Sequence, residues 1–168
     1  VLELANNEIF EIRDETFSTL TSLKNIDLYG NQIKTLYPNA FRGLKSLNLL
    51  NLGNNMIKDL NSDFGVLSSL ARLEIQGNFI NYISEKVLQD LSSLKTFAIH
   101  SNPLQCTCVD NLISWSSENR IALFSQCSQD LPICIVPTRD PSKCKFRTAN
   151  DFPNDTPNFK NFLKQCPL

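Results

Sequence analysis

Apolar residues in the first hundred positions come in short alternating bursts rather than long runs. Five segments share one template: VLELANNEI, NIDLYGNQI, LLNLGNNMI, RLEIQGNFI and TFAIHSNPL. Their asparagines, Asn7, Asn31, Asn55, Asn78 and Asn102, recur at steps of 24, 24, 23 and 24 residues. A fixed period of that length predicts a solenoid of stacked turns. Around each asparagine sits Leu-x-x-Leu-x-Leu-x-x-Asn-x-Ile, as in Leu20, Leu23, Ile26, Leu28, Asn31 and Ile33. Leu-x-Leu predicts a short strand whose apolar side chains point inward while the intervening residues face out. Where the chain turns off that strand, backbone N–H and C=O groups are left inside. The Asn carboxamide, with two donors and an acceptor, is expected to satisfy those of the next turn, so the asparagines should form an internal ladder. Farther along each repeat come Phe17, Phe41 and Phe64, then Val87 or Leu88. These are expected to stack as a spine on the convex side.

This register resembles the leucine-rich repeats of animal ectodomains over residues 1–102. The resemblance implies an α/β fold: a leucine-rich-repeat solenoid with a parallel concave β-sheet, followed over 103–168 by a disulfide-bonded C-terminal cap. Repeats bury their apolar faces only against neighbours, so both ends must be closed. No cysteine-bearing segment precedes Val1, which leaves Leu2, Leu4 and Phe17 without an upstream neighbour in the sequence. The chain is therefore expected to be the C-terminal part of a longer protein. The alternative is that VLELANN pairs with a second copy or another subunit, so a homo- or heterodimer is also in view.

At the other end, Phe97, Ile99 and Leu104 need a cover. VDNLISWSSEN predicts a short amphipathic helix over 109–119, capped by Asp110, with Leu112, Ile113 and Trp115 on one side. Cys106 and Cys108 are expected to alternate on extended backbone and pin two returning segments over the last turn. All six cysteines, Cys106, Cys108, Cys127, Cys134, Cys144 and Cys166, lie in the last third of the chain. An even number so closely packed favours disulfides and an oxidising compartment. NPLQCTC followed by a Trp-bearing helix resembles the cysteine-rich C-terminal caps of Toll-like receptors, Slit, the Nogo receptor and platelet glycoprotein Ib. Those caps join four cysteines first to third and second to fourth. That order, with Cys127–Cys134 as an added local bridge, implies Cys106–Cys144 and Cys108–Cys166. The rival scheme is Cys106–Cys127, Cys108–Cys144 and Cys134–Cys166. One glycosylation sequon occurs, Asn154-Asp155-Thr156, weakened by Pro157.

Charge and chemistry narrow the function. A formal net charge of −1 gives no long-range field, so nucleic acid and acidic membrane are not expected partners. No apolar run is long enough to span a bilayer. His100 is the one histidine, at an outward strand position where a solvated or ligand-contacting role is expected, and no metal, cofactor or enzymatic chemistry is predicted. The outward strand positions form two columns: Glu3, Asp27, Asn51, Glu74 and Ala98, then Ala5, Tyr29, Gly53, Gln76 and His100. The first holds three carboxylates and no base. Asp27, Tyr29, Asn51, Glu74, Gln76 and His100 are the candidate ligand-binding residues. The resemblance implies a secreted chain, or one on the extracellular side of the plasma membrane, that recognises a protein or microbial ligand. An innate-immune receptor or secreted sensor is the first reading. A matrix, adhesion or neuronal-guidance protein is the alternative.

All six cysteines are expected to be oxidised, so full reduction should raise the mass by about six daltons. Losing Cys106 or Cys108 should destabilise more than losing Cys127, with a lost bridge costing ~2–5 kcal/mol. Thiols titrating in the native protein would overturn the extracellular assignment.

Overall fold

The computed structural model describes residues 1–124 and 134–136, with backbone alone at 105–110, 124 and 134–136. The chain runs β1 (Leu2–Glu3), β2 (Glu11–Ile12), β3 (Asn25–Asp27), β4 (Thr35–Leu36) and β5 (Leu49–Asn51). It continues with a 3-10 turn (Phe64–Val66), β6 (Arg72–Glu74), α1 (Glu85–Asp90), β7 (Thr96–Ala98) and β8 (Leu104–Gln105). Last come α2 (Cys106–Glu118), β9 (Ala122–Phe124) and β10 (Cys134–Val136). Six strands form one parallel sheet in the order β1-β3-β5-β6-β7-β9. This is the leucine-rich-repeat solenoid that the period predicts.

The strands are short because each repeat gives the sheet only a few residues before turning away. The turn has a fixed device. The residue just before each ladder asparagine takes a left-handed backbone: Asn6, Gly30, Asn54, Gly77 and Ser101 all have φ between 52° and 68°. Glycine and asparagine tolerate that region best, which explains the recurring Gly-Asn and Asn-Asn pairs. Inside the strands, Ile26, Leu28, Leu50, Leu52, Leu73, Ile75 and Phe97 are fully buried. Phe41 and Phe64 stack with ring centroids 5.7 Å apart, and Phe17 and Val87, also buried, extend the spine at either end.

The asparagine ladder runs backward, toward the preceding turn rather than the next one. Asn55 Nδ2 donates to Leu28 O of the repeat before, 3.0 Å, and to Leu52 O of its own turn, 3.0 Å. Its Oδ1 accepts from Ile33 N at 2.9 Å, again in the repeat before. Asn31, Asn78 and Asn102 repeat this pattern on Leu4 and Ile9, Leu52 and Ile57, and Ile75 and Ile80. Handedness and strand direction decide which neighbour a carboxamide reaches, and the sequence period carries neither. Asn7 is exposed and donates only within its own turn, to Leu4 O and Ala5 O.

The cap differs from expectation in two details. Helix α2 starts at Cys106, so Cys106 and Cys108 lie in its first turn rather than on extended backbone, and Asp110 is inside the helix rather than its cap. Ile113 is 48% exposed while Leu112 and Ser116 are buried. The inward stripe therefore follows the helical spacing 112, 115, 116, and Ile113 sits about 100° around from Leu112. Packing against the last repeat sets that phase. Trp115 meets Phe97 edge-on at 6.1 Å, and Leu104, Leu112 and Ile121 join the core. Strand β9 then pairs with β7 and extends the repeat sheet past residue 102. The side chains of Cys106, Cys108 and Cys134 lie outside the described residues, as do Cys127, Cys144, Cys166 and Asn154 altogether, and with them the pairing schemes.

Replacing Asn55 with Leu strands Ile33 N and leaves Leu28 O and Leu52 O with one carboxamide donor each, from Asn31 and Asn78, and should destabilise the fold by about 2 kcal/mol. Asn31→Leu should act alike. Chemical denaturation is the check, and an unchanged midpoint in either variant would remove the ladder from the list of stabilising interactions.

Candidate functional site

Parallel pairing without slip turns the predicted columns into real ones. Glu3 lies opposite Asp27, Asp27 opposite Asn51, Asn51 opposite Glu74, and Glu74 opposite Ala98. The second column follows in the same register, since Gly30 N donates to Gly53 O, Asn54 N to Gln76 O and Gly77 N to His100 O. Asp27, Tyr29, Asn51, Glu74, Gln76 and His100 are thereby gathered on one face.

Several of these side chains also hold the backbone. Asp27 Oδ1 accepts from Tyr29 N at 3.0 Å, and Asn51 Oδ1 accepts from Gly53 N at 3.0 Å. Both are local Asx-type bonds that fix the strand exit. Glu74 Oε1 pairs with Arg72 Nε at 2.6 Å and is part-buried. Arg72 is a member of the face that the column reading missed; its spacing of two from Glu74 on a strand was the available signal. It tempers the acidity expected there, and Asp27 has no ion pair among the described residues. At Gly53 a Cβ would stand 2.6 Å from Gln76 Nε2 and 3.1 Å from Tyr29 Cδ2, so a side chain there would push the end of Gln76 aside. Tyr29 and Gln76 thus flank the glycine, setting an aromatic edge beside an amide.

His100 is not solvated. It is 7% exposed, and its Nδ1 lies 3.2 Å from Ser101 Oγ. Burial lowers its pKa below the usual 6.5, and the nearby Glu74 carboxylate opposes that shift. Ser101 is itself 3% exposed, so the pair offers no hydroxyl to a substrate. Ala98 is also buried, which narrows the open part of the face to repeats one to four.

A histidine whose folded pKa is depressed takes up its proton more readily in the unfolded chain. Stability from neutral His100 is therefore present above about pH 6.5 and lost as pH falls below that value. His100→Gln should lose less melting temperature between pH 7.5 and pH 5.5 than the parent chain; equal losses would show that His100 is not held neutral.

Comparison with known proteins places this geometry. The family description Leucine rich repeat matches residues 1–57. Podocan-like protein 1 of Homo sapiens is 31% identical over 112 residues, 66% of this chain and 22% of that protein. Toll-like receptor 6 of Bos taurus is 33% identical over 109 residues, 64% of this chain and 13% of that protein. Leucine-rich repeat-containing G-protein coupled receptor 5 of Rattus norvegicus is 39% identical over 79 residues, 46% of this chain and 8% of that protein. The chain thus spans less than a quarter of the length of these relatives. Among solved structures, the crystal structure of a TLR13–ssRNA13 complex superposes with a TM-score of 0.64 at 31% identity, covering 73% of this chain and 17% of that one. Repeat register, asparagine ladder, parallel sheet and these likenesses together make the chain a leucine-rich-repeat protein.

Proposed function

We propose that this chain is an extracellular recognition module, the C-terminal part of an innate-immune receptor or secreted sensor ectodomain, binding a protein or microbial ligand on its concave face. The observation that carries this reading is the unbroken strand register, which assembles Asp27, Tyr29, Asn51, Glu74 and Gln76 into one rigid, mixed polar-aromatic surface. Rigid aromatic and amide contacts beside an uncompensated carboxylate suit a protein partner with a basic patch. Likeness to Toll-like receptor 6 supports the receptor reading. The solved TLR13 structure is a complex with single-stranded RNA. Here Asp27, Glu3 and Glu74 face outward against one Arg72, so a polyanion is disfavoured on this face. No helix of the described residues is long and apolar enough to cross a membrane.

Charge reversal at Asp27 would break the bond to Tyr29 N, so neutralisation is the cleaner test. Asp27→Asn combined with Glu74→Gln keeps both acceptors and removes two charges. Against an array of extracellular proteins and microbial products, the parent chain should bind a basic partner with salt-sensitive affinity, and the double variant should weaken that binding about tenfold at an unchanged melting temperature. Unaltered affinity would move the site off the concave face.

A further inference from the structure

A second candidate site lies on another part of the turn, between the third and fourth repeats. In the first two repeats the segment after the ladder asparagine forms its own parallel pair, Glu11 opposite Thr35 and Ile12 opposite Leu36. The equivalent segments of the next two repeats are Asp59–Leu60 and Tyr82–Ile83. No backbone hydrogen bond joins residues 59–61 to 82–84 among the described residues. These repeats also differ from the first two in the length of the return that follows. Ile9 to Phe17 and Ile33 to Phe41 are each eight residues, whereas Ile57 to Phe64 and Ile80 to Val87 are seven. The residue is lost after the segment, so Leu60 and Ile83 stay buried in the same phase as Ile12 and Leu36.

Where the pair would continue, a cleft of about 370 Å³ opens. Its floor is Leu60 and Ile83, both buried, and its polar lining includes Asp59, Asn61, Tyr82 and Ser84. That volume falls within the ~300–1,000 Å³ of small-molecule sites. Neither the Asp59 carboxylate nor the Tyr82 hydroxyl has a hydrogen-bond partner among the described residues. Ser84 Oγ accepts from Val87 N at 3.3 Å, which leaves its O–H to donate elsewhere. Burial raises the pKa of Asp59, with Lys58 opposing. The carboxylate is therefore short of donors.

The lining selects among ligands. Asp59 repels an anion. Lys58, next in sequence and exposed, makes no ion pair with that carboxylate but offsets part of its pull on a second cation. What remains is a neutral molecule with several hydroxyl donors for Asp59 and Asn61 and a C–H face for the Tyr82 ring. We propose that this cleft is a saccharide subsite that takes one or two neutral pyranose rings, with Asp59 accepting from ring hydroxyls and Tyr82 providing the stacking surface.

The test uses the oxidised 168-residue chain on an array of neutral oligosaccharides, followed by calorimetric titration of the best disaccharide. Saturable binding is expected, reduced at least tenfold by Asp59→Asn and by Tyr82→Ala, and unchanged by the concave pair Asp27→Asn/Glu74→Gln. Melting temperature is recorded for each variant. If Tyr82→Ala does not fold, Asp59→Asn with Tyr82→Phe decides, the first losing binding and the second largely retaining it. The proposal falls if no neutral saccharide saturates, if binding survives Asp59→Asn, or if acetyl-arginine amide binds more tightly than every saccharide tried.

Discussion

The structure depends on one recurring requirement: backbone amides and carbonyls that turn inward at every repeat must find partners away from water. An unpartnered buried group costs about 1–3 kcal/mol, and each turn presents three. One carboxamide reaches all three, as at Asn55, which bonds Leu28 O, Leu52 O and Ile33 N, and the two carbonyls take a second donor from Asn31 and Asn78. Two of those groups belong to the previous repeat. The ladder therefore joins neighbours while it closes the turn, and solenoid stability becomes a sum of such neighbour terms. Because the asparagine must stand at one place in every turn, strand register is carried along with it. The two outward columns are aligned for that reason.

Departures from strict repetition are where the surface gains features of its own. The first two repeats close their outer segment with the β2–β4 pair. The next two form no such pair with each other and carry a polar-lined cleft instead. In the fourth repeat, helix α1 replaces the 3-10 turn of the third, with Ser84 as its cap and Val87 in the position of the spine phenylalanines. Lys86 on that helix reaches Asp90 at 2.7 Å and Asp63 at 3.8 Å, an exposed contact that adds little energy but ties the two outer segments together.

On the concave face, structural and recognition duties share side chains. Asp27 and Asn51 each spend one oxygen on the strand exit two residues later, and Glu74 is held by Arg72. Such anchoring removes side-chain freedom before any partner arrives, which lowers the entropy lost on binding. It also means that a substitution on this face tests binding alone only when the replacement keeps the acceptor.

The sequence by itself determined the period, the alternation of strand positions, the burial of four of the five asparagines, the phenylalanine spine and the two columns. Each follows from a short-range rule that repeats: period two for strands, one carboxamide per turn, one left-handed residue before it. The cover over Phe97 was legible as an amphipathic segment with Trp115. Its phase was not, because packing against the last repeat turned Ile113 outward and began the helix at Cys106. Tertiary structure alone decided that the ladder reaches backward and that His100 is enclosed rather than solvated. It also decided that a cleft opens between the outer segments of the third and fourth repeats. All three depend on which atoms of neighbouring turns meet across about 5 Å, a distance set by strand direction and stacking that no single repeat encodes.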